Sequence, residues 1–138
     1  MRGVVWITMA PLLAALAPGQ EPRPAERMPL RIGYYVSSDT PCAAASRATV
    51  MLFKGDGFGL NCETRSLEQL GASRYRLSDI CTYNQGGGVI EGTTEYELSG
   101  DTGFTVRGED GSAWSARFCR QSQMPEPFRS NDISWVGR

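Results

Sequence analysis

The chain reads as all-β: a small antiparallel meander of about seven strands that closes into a barrel or tight sandwich, braced by two disulfides. Three observations predict this. Turn signals recur at intervals of roughly 10 to 15 residues. The segments between them alternate apolar and polar side chains. No stretch carries a sustained helical period.

The elements follow in order. Arg31 to Val36 makes a first strand. Pro41-Cys42-Ala43-Ala44-Ala45-Ser46 suits a short helical turn, too brief to stand as an independent helix. Ala48 to Phe53 is apolar on both faces except for Thr49, which predicts a central strand covered on both sides. Gly55-Asp56-Gly57 is the first strong hairpin signal. Phe58, Leu60 and Cys62 then alternate with Gly59, Asn61 and Glu63. Leu70-Gly71-Ala72-Ser73 is the next turn. In Arg74-Tyr75-Arg76, strand geometry puts both arginines on the solvent face and Tyr75 inward.

After the turn Asn84-Gln85-Gly86-Gly87-Gly88, Ile90, Thr94, Tyr96 and Leu98 share one face, and Glu91, Glu95 and Glu97 the other. Ser99-Gly100-Asp101 and Glu109-Asp110-Gly111-Ser112 separate the last strands, where Phe104 and Val106, then Trp114, Ala116 and Phe118, point inward. Both acidic turns superficially resemble calcium loops but lack the spaced ligands of an EF-hand, so no metal is expected.

The ends read differently. Met1-Arg2 precedes an apolar run from Gly3 to Ala17, with small residues after it. This is the layout of a signal peptide over residues 1–19, cut before Gln20. No later segment is apolar enough to cross a bilayer, so no transmembrane span is expected in the mature chain. Residues 20–30 hold Pro22, Pro24 and Pro29 among charges and predict an extended, poorly ordered lead-in. The folded domain is expected over 31–120. The tail, 121–138, has Phe128, Ile133 and Trp135 to dock it on the body, or else it stays mobile.

An exported chain works where thiols oxidise, so periplasmic or secreted is the expected location. The four cysteines allow three pairings. Cys62 and Cys81 are nearly equidistant from the Gly71-Ala72 turn, which sets them opposite each other on adjacent strands. Cys42 is left for Cys119, closing the meander end to end. Chain-entropy arithmetic gives roughly 3 kcal/mol for the shorter loop and about 4.5 for the longer. No Cys-x-x-Cys motif is present, which argues against zinc or thioredoxin-like chemistry.

Composition excludes more than it assigns. With no histidine, Ser-His-Asp triads, Cys-His pairs and histidine metal sites are all ruled out. The formal net charge is −1. Such a balance supports no claim on nucleic acid. Gly86-Gly87-Gly88 is no phosphate loop, because no lysine or helix start follows. No cofactor is implied.

Gly33-Tyr34-Tyr35-Val36 through Asp39-Thr40-Pro41-Cys42, then Ala45-Ser46-Arg47-Ala48-Thr49, resembles small exported proteins of alphaproteobacteria. The ending Ala116-Arg117-Phe118-Cys119 is similar to theirs. The likeness spans about Ile32 to Cys119 and brings no assigned activity. The expected architecture is also similar to periplasmic lysozyme inhibitors of the MliC/PliC type, in which a Ser-Gly-x-x-Tyr loop enters the lysozyme cleft. Here Ser99-Gly100 is followed by Asp101-Thr102-Gly103, with no tyrosine at the matching place.

The expectation is therefore an exported, non-enzymatic binding module for an unknown envelope or extracellular protein, acting as an inhibitor or sensor. Its candidate contacts are Tyr34, Tyr35, Asn84, Gln85, Gly86, Gly87 and Gly88. Tyr34 and Tyr35 must point to opposite faces of a strand, which predicts one exposed ring. Two alternatives are a small hydrolase using Glu91 and Glu95 as paired carboxylates and a barrel holding a small apolar ligand.

Overall fold

A computed structural model describes residues 21–83 and 86–138. Residues 1–20, where the signal peptide is expected, and Asn84 and Gln85 lie outside the described residues. The strands are β1 (Arg23–Pro24), β2 (Gly33–Ser37), β3 (Val50–Phe53), β4 (Cys62–Gln69), β5 (Arg74–Tyr83), β6 (Gly88–Leu98), β7 (Gly103–Arg107) and β8 (Ala113–Cys119). They form one eight-stranded sheet in the order β1-β4-β5-β6-β7-β8-β2-β3. Every pairing is antiparallel. The sheet is not closed into a barrel: β1 and β3 end it.

The inward residues of each strand converge on one core. Tyr35, Phe53, Phe58, Leu77, Tyr96 and Phe104 are all buried there. The Phe58 ring lies 5.1 Å from Phe104 and 5.3 Å from Tyr96, within the range of favourable ring contacts. The Tyr35 hydroxyl donates to the carbonyls of Arg31 and Asp101, which satisfies a polar tip in an apolar place. Burial pushes the Tyr96 phenol up to about 12.

Several sequence expectations are corrected. The lead-in is ordered: β1 pairs with β4, and Met28 and Leu30 join the core. The proline-rich run is extended, but its few apolar residues find a place to bury. The run Phe58 to Asn61 is no strand; Phe58 makes a single bridge to Phe53, and the strand begins at Cys62. Strand β3 is an edge, not a centre. The strand covered on both faces is β2, buried from Gly33 to Val36.

The tail causes that double coverage. Met124 and Phe128 bury against Tyr34, Val36, Ala45 and Cys119, with Ile133 packed beside them. Phe128 meets the Tyr34 ring edge-on at 5.5 Å, and Asn131 donates to the Tyr34 hydroxyl. Neither Tyr34 nor Tyr35 is exposed; they are 6% and 0% accessible. They do point to opposite faces, but a core covers each. The Cys42–Cys119 bridge fixes the short 3-10 turn Cys42–Ala44 to the same outer face.

Both ends of the sheet are defended against further pairing. Pro24 leaves the outward side of β1 without a donor at its position. On β3, the Leu52 carbonyl accepts from Gly59, and Lys54 donates its backbone N–H to Gly57.

Candidate functional site

Strands β4, β5 and β6 are the longest in the sheet, at 8, 10 and 11 residues, whereas β7 has 5. The surplus length builds a projection, here termed the finger, from Cys62–Thr64, Ser78–Tyr83 and Gly88–Thr93. Its β5–β6 ladder runs unbroken from Arg74↔Glu97 to Tyr83↔Gly88.

A β-bulge sets the register of its third strand. Near the turn, Gln69 lies opposite Tyr75. Continued without a shift, that register would set Cys62 opposite Thr82. The register shifts between Thr64 and Ser66, and Cys62 comes opposite Cys81 instead. The Cys62–Cys81 disulfide closes there, with Cα atoms 4.0 Å apart. The sequence-based pairing holds for both bridges. Its premise of a turn centred on Gly71-Ala72 does not; the bulge compensates.

Asp79 stands on the disulfide's face of the finger. Its carboxylate and the two sulfurs lie within 4.8 Å of one another. Both sulfurs are committed to the bridge, so one carboxylate remains, too few donors for a cation. Partial burial raises the Asp79 pKa, and the nearby Lys54 charge opposes that shift. Lys54 donates to the Cys62 carbonyl.

The opposite face carries an ion-pair ladder. Arg76 reaches Glu95 at 3.1 Å and Glu68 at 3.8 Å; Arg74 reaches Glu95 at 3.3 Å and Glu97 at 3.7 Å. Glu95 and Glu97 thus balance the two arginines on an exposed surface. Glu91 lies farther out, opposite Ile80. Four residues of strand separate Glu91 from Glu95 by about 13 Å. Paired carboxylates of a glycosidase stand no more than about 9.5 Å apart, so the geometry gives the carboxylate reading no support.

Apolar side chains are exposed along the finger. Tyr83 is 49% accessible, Val89 57% and Ile90 59%, and Leu60, in the turn that leads into β4, is 59%. Gly86 and Gly87 close the β5–β6 hairpin with φ of 99° and 65°, a left-handed region that favours glycine. A Cβ built on Gly86, Gly87 or Gly88 meets nothing within 4 Å, so this turn is open to solvent. Of the sequence-predicted contacts, Gly86, Gly87 and Gly88 come together at the fingertip. Tyr34 and Tyr35 do not join them: β2 is separated from β6 by β7 and β8.

Leu60, Val89 and Ile90 were missed as surface candidates. The signal was present: adjacent apolar residues Val89 and Ile90 break the alternation that holds from Glu91 to Leu98. Two neighbours on a strand face opposite ways, so a single core cannot bury both.

Among the described residues no helix is long and apolar enough to cross a membrane. Comparison with protein families, curated proteins and solved structures finds no match.

Proposed function

We propose that the chain is an exported binding module, an inhibitor or sensor of an envelope or extracellular protein, that meets its partner with the finger. One observation carries this reading: Tyr83, Val89 and Ile90 are exposed on a disulfide-braced projection, with Leu60 exposed in the turn that leads into it, while the body buries most of its large apolar groups and exposes Trp114 and Trp135. Exposed apolar clusters of this kind mark interaction surfaces. Two disulfides are consistent with work outside the cytoplasm. The reading as a barrel with an apolar ligand finds less support, because aromatic rings fill the interior.

The test is affinity capture from envelope extract on the immobilised, oxidised chain. The intact chain is expected to retain a stoichiometric partner. The double variant Tyr83→Ser, Ile90→Ser is expected to lose it while keeping both disulfides. Equal retention by the variant, or no partner at micromolar bait, would reject the finger as the binding surface.

A further inference from the structure

The finger has an undefended strand edge along β6. In β6 the backbone groups alternate in direction. The Leu98 N–H donates to Ser73, toward β5, and the Ser99 N–H donates to Gly103, toward β7. Even-numbered residues of β6 therefore bond β5, and odd-numbered ones face the other side. On that side the ladder with β7 stops at Tyr96↔Val106. Val89, Glu91 and Thr93 aim their N–H and C=O groups outward with no strand of the described residues beside them. The ends of the sheet are blocked by Pro24 and by the Gly57–Gly59 segment, but this internal edge is bare.

We propose that the free edge of β6 binds an extended cationic and apolar peptide segment by adding it as a further strand. The inference rests on the finger being the binding surface. A row of alternating donors and acceptors at strand spacing is matched by another extended backbone. Side chains then set its character. Glu91 carries no ion pair among the described residues, so a lysine or arginine of the incoming strand pairs with it on the ladder face. On the disulfide face, Ile90 is 59% accessible. Beside it, Gly92 leaves open space: a Cβ there meets nothing within 4 Å. An apolar side chain of the partner fits there. Where β7 falls short, a groove lined by Thr93, Thr94, Glu95, Val106, Arg107 and Glu109 receives the end of the segment.

Charge selects against a second copy of this chain. Two-fold antiparallel pairing requires outward residues to meet outward residues. Centred on Glu91, it sets Glu91 against its own copy. Centred on Gly92, it sets Glu91 diagonal to its copy and to Glu95. Like charges so placed are destabilising.

The probe is an eight-residue peptide of alternating lysine and valine, tested against the oxidised full chain by fluorescence anisotropy and amide hydrogen exchange. Binding is expected to protect the amides of Val89 and Glu91. Thr93→Pro removes an outward donor and the Thr93 hydroxyl's hydrogen bond with Ser78, keeps the backbone bonds of the β5 ladder, and is expected to weaken binding roughly tenfold. N-methylation of alternate peptide amides is expected to do the same. Glu91→Lys is expected to weaken the lysine peptide by about threefold and favour its glutamate counterpart. If Thr93→Pro fails to fold, Val89→Pro poses the same question. No protection at the β6 edge, or undiminished binding of the N-methylated peptide, overturns the proposal. Capture that is lost in Tyr83→Ser, Ile90→Ser but unchanged in Thr93→Pro overturns strand addition alone. Capture unchanged in both overturns the finger as well.

Discussion

Strand β2 and the outer half of β6 sit in one sheet under opposite conditions. β2 is buried on both faces by two cores and paired on both edges. The outer half of β6, Gly88 to Thr93, is exposed on both faces and paired on one edge. Burial of apolar area stabilises β2. The outer half of β6 has little of it and is held by its ladder with β5, which the Cys62–Cys81 bridge ties to β4. The body can therefore lose little without unfolding, whereas the finger can vary its side chains at small cost in stability. That freedom is what an interaction surface needs.

The largest contrast should come from matched truncations. Tyr35→Ala empties a fully buried site and deletes a satisfied hydroxyl, and should cost about 3–5 kcal/mol in denaturant unfolding. Ile90→Ala should fall within about 0.5 kcal/mol of the parent. Comparable costs would show that the finger packs in solution.

Next come the bridges. Removing Cys42–Cys119, with a sequence separation of 77, should cost roughly 4.5 kcal/mol and lower the whole molecule's melting temperature. Removing Cys62–Cys81, separation 19, should cost roughly 3 kcal/mol. Hydrogen exchange should show its loss concentrated in Ser78–Tyr83 and Gly88–Thr93. Deleting Arg65, the extra residue of the bulge, should keep that same bridge, because Thr64 then runs straight on to Ser66 in a regular ladder with Cys62 still opposite Cys81. Mass mapping that found Cys62–Cys81 lost in the deletion would refute the role of the bulge.

The smallest effect concerns pH. The Asp79 pKa is raised in the folded chain. The folded state therefore binds the proton more tightly than the unfolded state. For this group, stability is greatest at low pH and is lost as pH rises through the folded value. Asp79→Asn should make the neutral-pH protein slightly more stable and flatten stability against pH in the acidic range. A less stable Asp79→Asn at neutral pH would mean that the Lys54 charge outweighs burial.

Much of the fold was legible in the residues. Period-two patterning located β5 to β8, because one wet and one buried face leave a direct mark on sequence. Cysteine spacing found both bridges. The all-β class followed from the absence of a helical period. The candidate loop at Gly86–Gly88 was also legible, since glycine runs mark open turns.

Other features belong to the tertiary structure alone. Tyr34 and Tyr35 read as one buried and one exposed ring because a strand shows only that its neighbours point apart. The second core that covers Tyr34 is built by Met124 and Phe128, about ninety residues later in the chain. The lead-in looked unstructured because Met28 and Leu30 have no local periodicity, and their burial depends on a cavity made by other strands. The free edge of β6 arises because β7 is shorter, a mismatch between two elements rather than a property of either. Local chemistry writes turns, faces and bridges into the sequence. What covers a face or leaves an edge bare is decided by segments that meet only when the chain is folded.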